Sequence, residues 1–205
     1  AFCLEDDLTQ ETDEVVRKIK EAFNNWLKQI CLEGTCKKFD FDSDSVFLNF
    51  NYTLTLEEVY KIPNELIIHI HGNILDNHDS LIFGHNEKLK EIPEIDENGD
   101  SNRTMYTDSE NTAKYPFYAF RKPVNEIISE YKSFFKNLNT VEEIIVLGHS
   151  LNPIDIPYFE EIMKYAESTI KWKVSYFGKE EKEKHFDTLL RIGIDKFKIE
   201  LFEMN

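Results

Sequence analysis

The order of elements in the last third of the chain does most to fix what it can fold into. The apolar run "EEIIVLGHS" (142–150) ends at a glycine turn and reads as a strand buried on both faces. "IDIPYFEEIMKYAES" (154–168) has helical spacing and tolerates Pro157 early, "KWKVSYFG" (171–178) reads as a strand, residues 179–193 as a helix, and "KFKIELFE" (196–203) as a closing strand. Strand, helix, strand, helix, strand with short links leaves a parallel sheet with helices packed on its faces. The expected class is therefore α/β, with a mostly parallel sheet and helices on both faces.

Upstream, "TDEVVRKIKEAFNNWLKQIC" (12–31) places Val15, Ile19, Phe23, Trp26 and Ile30 at helical spacing, which predicts one buried stripe and a stop near Gly34. "SVFLNFN" (45–51) predicts a strand and "TLTLEEVYK" (53–61) a short helix. Pro63 and Asn64 break the chain before the strand "ELIIHIHG" (65–72), and "SLIFGH" (80–85) looks like another short strand. Residues 87–116 have neither period nor enough apolar content to pack, and read as a surface excursion. A helix over 117–138, with Pro123 in its first turn, restores order.

At 205 residues and 41% hydrophobic, the chain is expected to form a single domain, residues 1–205, with a real core. A formal charge of −15 argues against a nucleic-acid partner, which needs a basic surface. No apolar run has the length of a membrane span, so no membrane is expected. Cys3, Cys31 and Cys36 are odd in number and lack C-x-x-C spacing, which suits a reduced, cytoplasmic setting.

In open sheets of this class, ligands sit outside the carboxyl ends of the strands. Several segments end there in polar residues: Asn49 and Asn51, His69 and His71 with Gly72, Gly84 and His85, and Gly148 to Ser150. Three chemistries compete for them. The H-x-H pair, with His85 or Asp79 added, suggests a metal site, but the ligand set is incomplete and no metal is expected. "GHSLN" suggests a nucleophile elbow, yet Asn152 replaces the second glycine that the strained turn needs. The third is a nucleotide site, in which a neutral histidine takes a proton from a hydroxyl and asparagine amides hold a ribose. Ser150 and the first amides of the 154–168 helix would meet a phosphate or hydroxyl. Asp155 would accept from a ribose diol, or serve as a helix cap.

Three blocks together carry a resemblance. "FLNFNYTLTLEEVY" resembles a Phe-x-x-x-Asn-Tyr-Thr-x-Thr-Leu block, "IHIHGN" a His-x-His-Gly block, and "IIVLGHSLNPIDIPYF" a Gly-His-Ser-Leu-x-x-x-Asp-x-x-Tyr-Phe block. With "LIFGHNE" and "FRKP" between them, their order resembles the bacteriophage abortive-infection family AbiH, strongest over residues 46–178. That family is similar in turn to sirtuin-like (SIR2-like) Rossmann proteins, which implies a Rossmann-like sheet. The resemblance implies a phage-defence protein that binds NAD and, as substrate, cleaves it at the nicotinamide glycosidic bond. It places Asn51 at the nicotinamide ribose and His71 as general base, with Asn49, Thr53, Gly72, Gly148, His149, Ser150 and Asp155 at the nucleotide-binding end.

Two departures accompany it. Thr53 stands where the sirtuin-like pattern has an acid, and nothing in residues 1–50 matches the glycine-rich "Gly-Asn-Gly-Phe-Asp" loop of the family. The chain is thus expected either to be truncated or to lack that loop and its strand, and to hold NAD weakly without this phosphate cradle. The alternatives are a non-catalytic sensor or interaction module that binds a nucleotide, another small molecule or a phage-derived trigger, and, less favoured, a metal-dependent hydrolase. A homo-oligomer is compatible with the sequence, which fixes no order for it. Of the two strand histidines, His71 beside Gly72 is expected to be the exposed one and His69 to orient its neighbour.

Overall fold

A computed structural model of the chain describes residues 2–90 and 93–204, with side chains from Glu5 onward. It is a mixed α/β protein with short parallel strands, divided into two compact units, Ala1–Lys122 and Pro123–Asn205.

The first unit opens with the long helix α1 (Phe2–Leu27). It starts earlier than its apolar period and stops at Leu27, before the turn that holds Gly34. Its inward face is not the expected stripe. Val16, Asn24 and Leu27 are buried, whereas Val15, Ile19, Trp26 and Ile30 are exposed. Phe23 alone serves the expected role, its ring 4.2 Å from Phe83 and edge-on to Tyr52 at 5.1 Å. The helix is apolar along two neighbouring strips, and periodicity cannot say which strip the rest of the unit covers.

β1 (Phe47–Asn49), α2 (Thr55–Glu58) and β2 (Ile67–His69) follow. β1 and β2 pair in parallel, with Phe47 opposite Ile67 and Asn49 opposite His69. The 80–85 segment is not a ladder strand. It docks through a single bridge from His85 to Arg121, in which the His85 N–H donates to the Phe120 carbonyl and the Lys122 N–H to the His85 carbonyl. Gly84 permits that approach, since a Cβ there would lie 1.9 Å from the Phe120 carbonyl oxygen, at a φ of +129°.

The 87–116 stretch is not featureless. It contains α3 (Thr107–Ala113) and the start of α4 (Tyr115–Ala119), both packed on α1; residues 91 and 92 of it lie outside the described residues. "TDSENTA" has no apolar period of its own, so this helix forms where α1 supplies the packing.

The second unit begins with α5 (Val124–Glu130) and α6 (Lys132–Lys136). The single helix expected over 117–138 is thus three pieces. Pro123 has no N–H to continue a helix, residues 121–122 are engaged with His85, and Tyr131 leaves the helical region at ψ 20°. β3 (Glu143–Val146), α7 (Ile156–Tyr165), β4 (Lys171–Tyr176), α8 (Gly178–Arg191) and β5 (Ile199–Glu203) complete it. The strands form a parallel sheet in the order β3-β4-β5, with Ile144 opposite Trp172 and Val174 opposite Leu201.

Phe135, Tyr158, Val174 and Leu189 are fully buried in this unit's core. α8 carries Glu180 and Glu181 in its first turn and Arg191 in its last, each favourable to the helix dipole. β3 is not covered on both faces, because Ile145 is 50% exposed on this edge strand. Cys31 and Cys36 are exposed free thiols, while the Cys3 side chain lies outside the described residues.

Candidate functional site

The carboxyl ends of β1 and β2 gather the first group of sequence-predicted residues, and the pairing register explains why. With Asn49 opposite His69, the two side chains meet, Asn49 Nδ2 lying 3.4 Å from His69 Nδ1. Asn49 Oδ1 accepts the Asn51 N–H at 3.0 Å, which fixes the amide and folds the chain sharply after the strand. Asn51 lies on that turn with an exposed side chain. Thr53 shares a hydroxyl–hydroxyl hydrogen bond of 2.9 Å with Thr55 at the start of α2.

His69 has a partner that sequence reasoning missed. Its Nε2 lies 2.6 Å from Oε1 of Glu57, and the two side chains are only 9% and 15% exposed. Its Nδ1 lies 3.2 Å from the Asn51 carbonyl oxygen. Counting protons gives two consistent states. In the imidazolium, Nε2–H donates to the carboxylate and Nδ1–H to the Asn51 carbonyl. In the neutral Nε2–H form, the carboxylate keeps its bond and Nδ1 accepts from the Asn49 amide. Both ring nitrogens are engaged within the protein, so His69 positions the Asn49–Asn51 turn. The signal that could have found Glu57 is its place: an acid in the first turn of a helix that directly follows a strand, beside the end of the neighbouring strand.

His71 is not the open one of the two. It is 2% exposed, its ring lying 5.6 Å edge-on from Phe50 and 6.4 Å from Tyr52. The chain curls after β2, with the Gly72 N–H donating to the His69 carbonyl and the Ile82 N–H to the His71 carbonyl, which draws His71 under the 80–85 segment. Gly72 has φ +81°, and a Cβ there would meet Asp76 Oδ2 at 3.2 Å, so the His-Gly step needs its glycine. His85 is structural: Nε2–H donates to the Phe117 carbonyl and Nδ1 accepts the Glu87 N–H.

The second unit carries the other group. Gly148, at φ +60°, and Ser150 form an exposed turn after β3, and the Gly148 N–H donates to the buried Ser175 Oγ at 2.8 Å. His149 Nδ1 accepts the Leu151 N–H at 2.9 Å, which holds Leu151 at a φ of +48°. Asp155 occupies the cap position of α7 but makes no side-chain capping bond. Its carboxylate lies 3.7 Å from His149 Nε2, both groups nearly buried. Gly148, His149, Ser150 and Asp155 are thus neighbours along one strand-to-helix connection. An open depression of about 340 Å³ in this unit, lined by residues 139–142, 167, 169 and 170, contains none of them.

Among the described residues, no three His, Cys, Asp or Glu side chains come together as a metal would require. No helix among them is long and apolar enough to cross a membrane. What remains is an α/β protein whose polar strand-end residues cluster at parallel strands, with amide, imidazole and carboxylate groups held in place. Residues 2–176 match the family model for bacteriophage abortive infection AbiH, and the chain belongs to that family. Membership places it among phage-defence proteins that act by abortive infection. No curated protein and no solved structure gives a significant match.

Proposed function

We propose that this abortive-infection protein recognises NAD at the carboxyl ends of β1 and β2 and cleaves it at the nicotinamide glycosidic bond. The observation that carries the reading is the register that sets Asn49 against His69, with Asn51 exposed on the turn beyond. An exposed amide on a braced turn can bridge the two hydroxyls of a ribose, and the bond to nicotinamide lies next to that ribose. In the reaction, the ribose–nitrogen bond breaks and the ring nitrogen leaves with the electron pair as neutral nicotinamide. Water adds to the ribose carbon, and His71 takes the proton the water loses. Taken by itself, the second unit offers its own nucleotide contacts along one strand-to-helix connection, at Gly148, His149, Ser150 and Asp155. A phage-derived component is the proposed trigger.

A second reading has one observation in its favour. His71 is 2% exposed, and a base has to reach its proton. A module that binds a nucleotide without turning it over, as a sensor of infection, accommodates that burial.

The test follows NAD in cells challenged with phage. Cells carrying the wild-type chain lose NAD as infection proceeds, while cells carrying Asn51→Ala or His71→Ala retain it at unchanged protein level. Protection from phage with NAD intact in the wild type would overturn the enzymatic reading and leave the sensor.

A further inference from the structure

The outward strip of α1 is built to meet another helix. Leu8, Thr12, Val15, Ile19, Ala22 and Trp26 follow one another at intervals of four, three, four, three and four residues, the spacing of a coiled-coil seam. The neighbouring strip, with Val16, Phe23 and Leu27, is taken up by the first unit's own core, and Phe23 also stacks on Trp26 at 5.9 Å. The seam is not: Val15, Ile19 and Trp26 are 46%, 43% and 57% exposed, and Ile30 just beyond the helix is 37% exposed. A helix apolar on two sides has a use for both.

Charge selects the occupant. From Glu5 to Glu14 the helix carries six acids (Glu5, Asp6, Asp7, Glu11, Asp13, Glu14) and no base. From Arg17 to Leu27 it carries Arg17, Lys18 and Lys20 against the single acid Glu21, with Lys28 just beyond its end. A second copy laid antiparallel puts the acidic half of each helix against the basic half of the other, whereas a parallel pair opposes like charges. The seam is also self-complementary in that direction. About a two-fold axis near Arg17, Leu8 faces Trp26, Thr12 faces Ala22 and Val15 faces Ile19, so all six positions find partners at once.

We propose that α1 is the self-association face of this protein, pairing antiparallel with α1 of a second copy. The seam's six residues are fewer than the roughly 20–30 a standard interface takes from each partner, so the dimer is reversible and concentration-dependent. Recruitment of more copies during infection then raises the dimer fraction by mass action alone.

Sedimentation equilibrium of the full chain tests this. The wild type shows a monomer–dimer equilibrium that shifts toward monomer as salt rises. Ile19→Glu and, independently, Trp26→Glu are monomeric; Ile19→Glu keeps the wild-type melting transition because its side chain is exposed, while Trp26→Glu also gives up the stack on Phe23. With Cys3, Cys31 and Cys36 replaced by serine, Lys18→Cys beside the axis forms an intermolecular disulfide and Leu8→Cys at one end does not. Three results would overturn the proposal: a monomer at every concentration, a dimer that survives both glutamate substitutions, or cross-linking of Leu8→Cys as efficient as that of Lys18→Cys. A monomer whose Trp26 resists quenching by iodide would overturn it too, since the chain itself would then cover the seam.

Discussion

Removing Glu57 tests the bracing of the Asn49–Asn51 turn. In Glu57→Ala the His69 Nε2, which meets a Glu57 carboxylate oxygen at 2.6 Å, loses that acceptor in a side chain only 9% exposed. Leaving a buried polar group unsatisfied costs about 1–3 kcal/mol, and breaking a buried ion pair about 3–5 kcal/mol. The pair retains some solvent contact at Glu57, so a loss of about 3 kcal/mol is expected for the alanine variant. Glu57→Gln keeps the shape and the acceptor but not the charge, and should cost about 1 kcal/mol. Urea denaturation of the two single variants, His69→Ala and the Glu57→Ala/His69→Ala double variant closes a cycle. The coupling energy should be on the order of 2 kcal/mol. Additivity within about 0.5 kcal/mol would refute the claim that these two groups hold each other.

Two further predictions concern the scaffold. Gly84→Ala places a methyl group 1.9 Å from the Phe120 carbonyl oxygen, an atom pinned by the His85 N–H, and at a φ that L-residues avoid. It should destabilise the chain by more than about 3 kcal/mol in denaturant titration, against about 1 kcal/mol for Gly34→Ala, where a Cβ meets nothing and only the φ of +78° opposes it. The Glu143 carboxylate beside Lys173 holds the ammonium's pKa above the ordinary lysine value. A base whose pKa is raised by folding contributes its full stability below the unfolded value and loses it as pH climbs through the folded one. The strongly alkaline limb of the melting-temperature profile should therefore flatten in Lys173→Met, which forgoes the pair's small contribution at neutral pH as well.

The alternation after residue 142 was legible because each element there is short, apolar and bounded by turn residues, and the three parallel strands follow it closely. Position along α1 was legible but direction was not: Val15 and Val16 are equally apolar, and only α3, α4 and Phe83 decide which faces inward. α3 itself was invisible because its helicity depends on a distant partner rather than its own residues. The expected strand at 80–85 shows the reverse case. Its alternation is real, yet it bonds to its neighbours at separate points, Ile82 to the His71 carbonyl and His85 to the 120–122 backbone, without forming a ladder. At the site, Asn49, Asn51 and His69 share one end because polar residues that close parallel strands must do so. Glu57 and the burial of His71 were beyond reach, since one depends on a contact across twelve residues and the other on a loop folding back.

The central claim is that the ends of β1 and β2 recognise a nucleotide's ribose, and amide chemical shifts during titration with NAD test it most directly, because they register weak binding as well as tight. The account predicts saturable shifts concentrated at residues 49–53 and 69–72, lost in Asn51→Ala. An unchanged spectrum at millimolar NAD, or shifts confined to other residues, would contradict it.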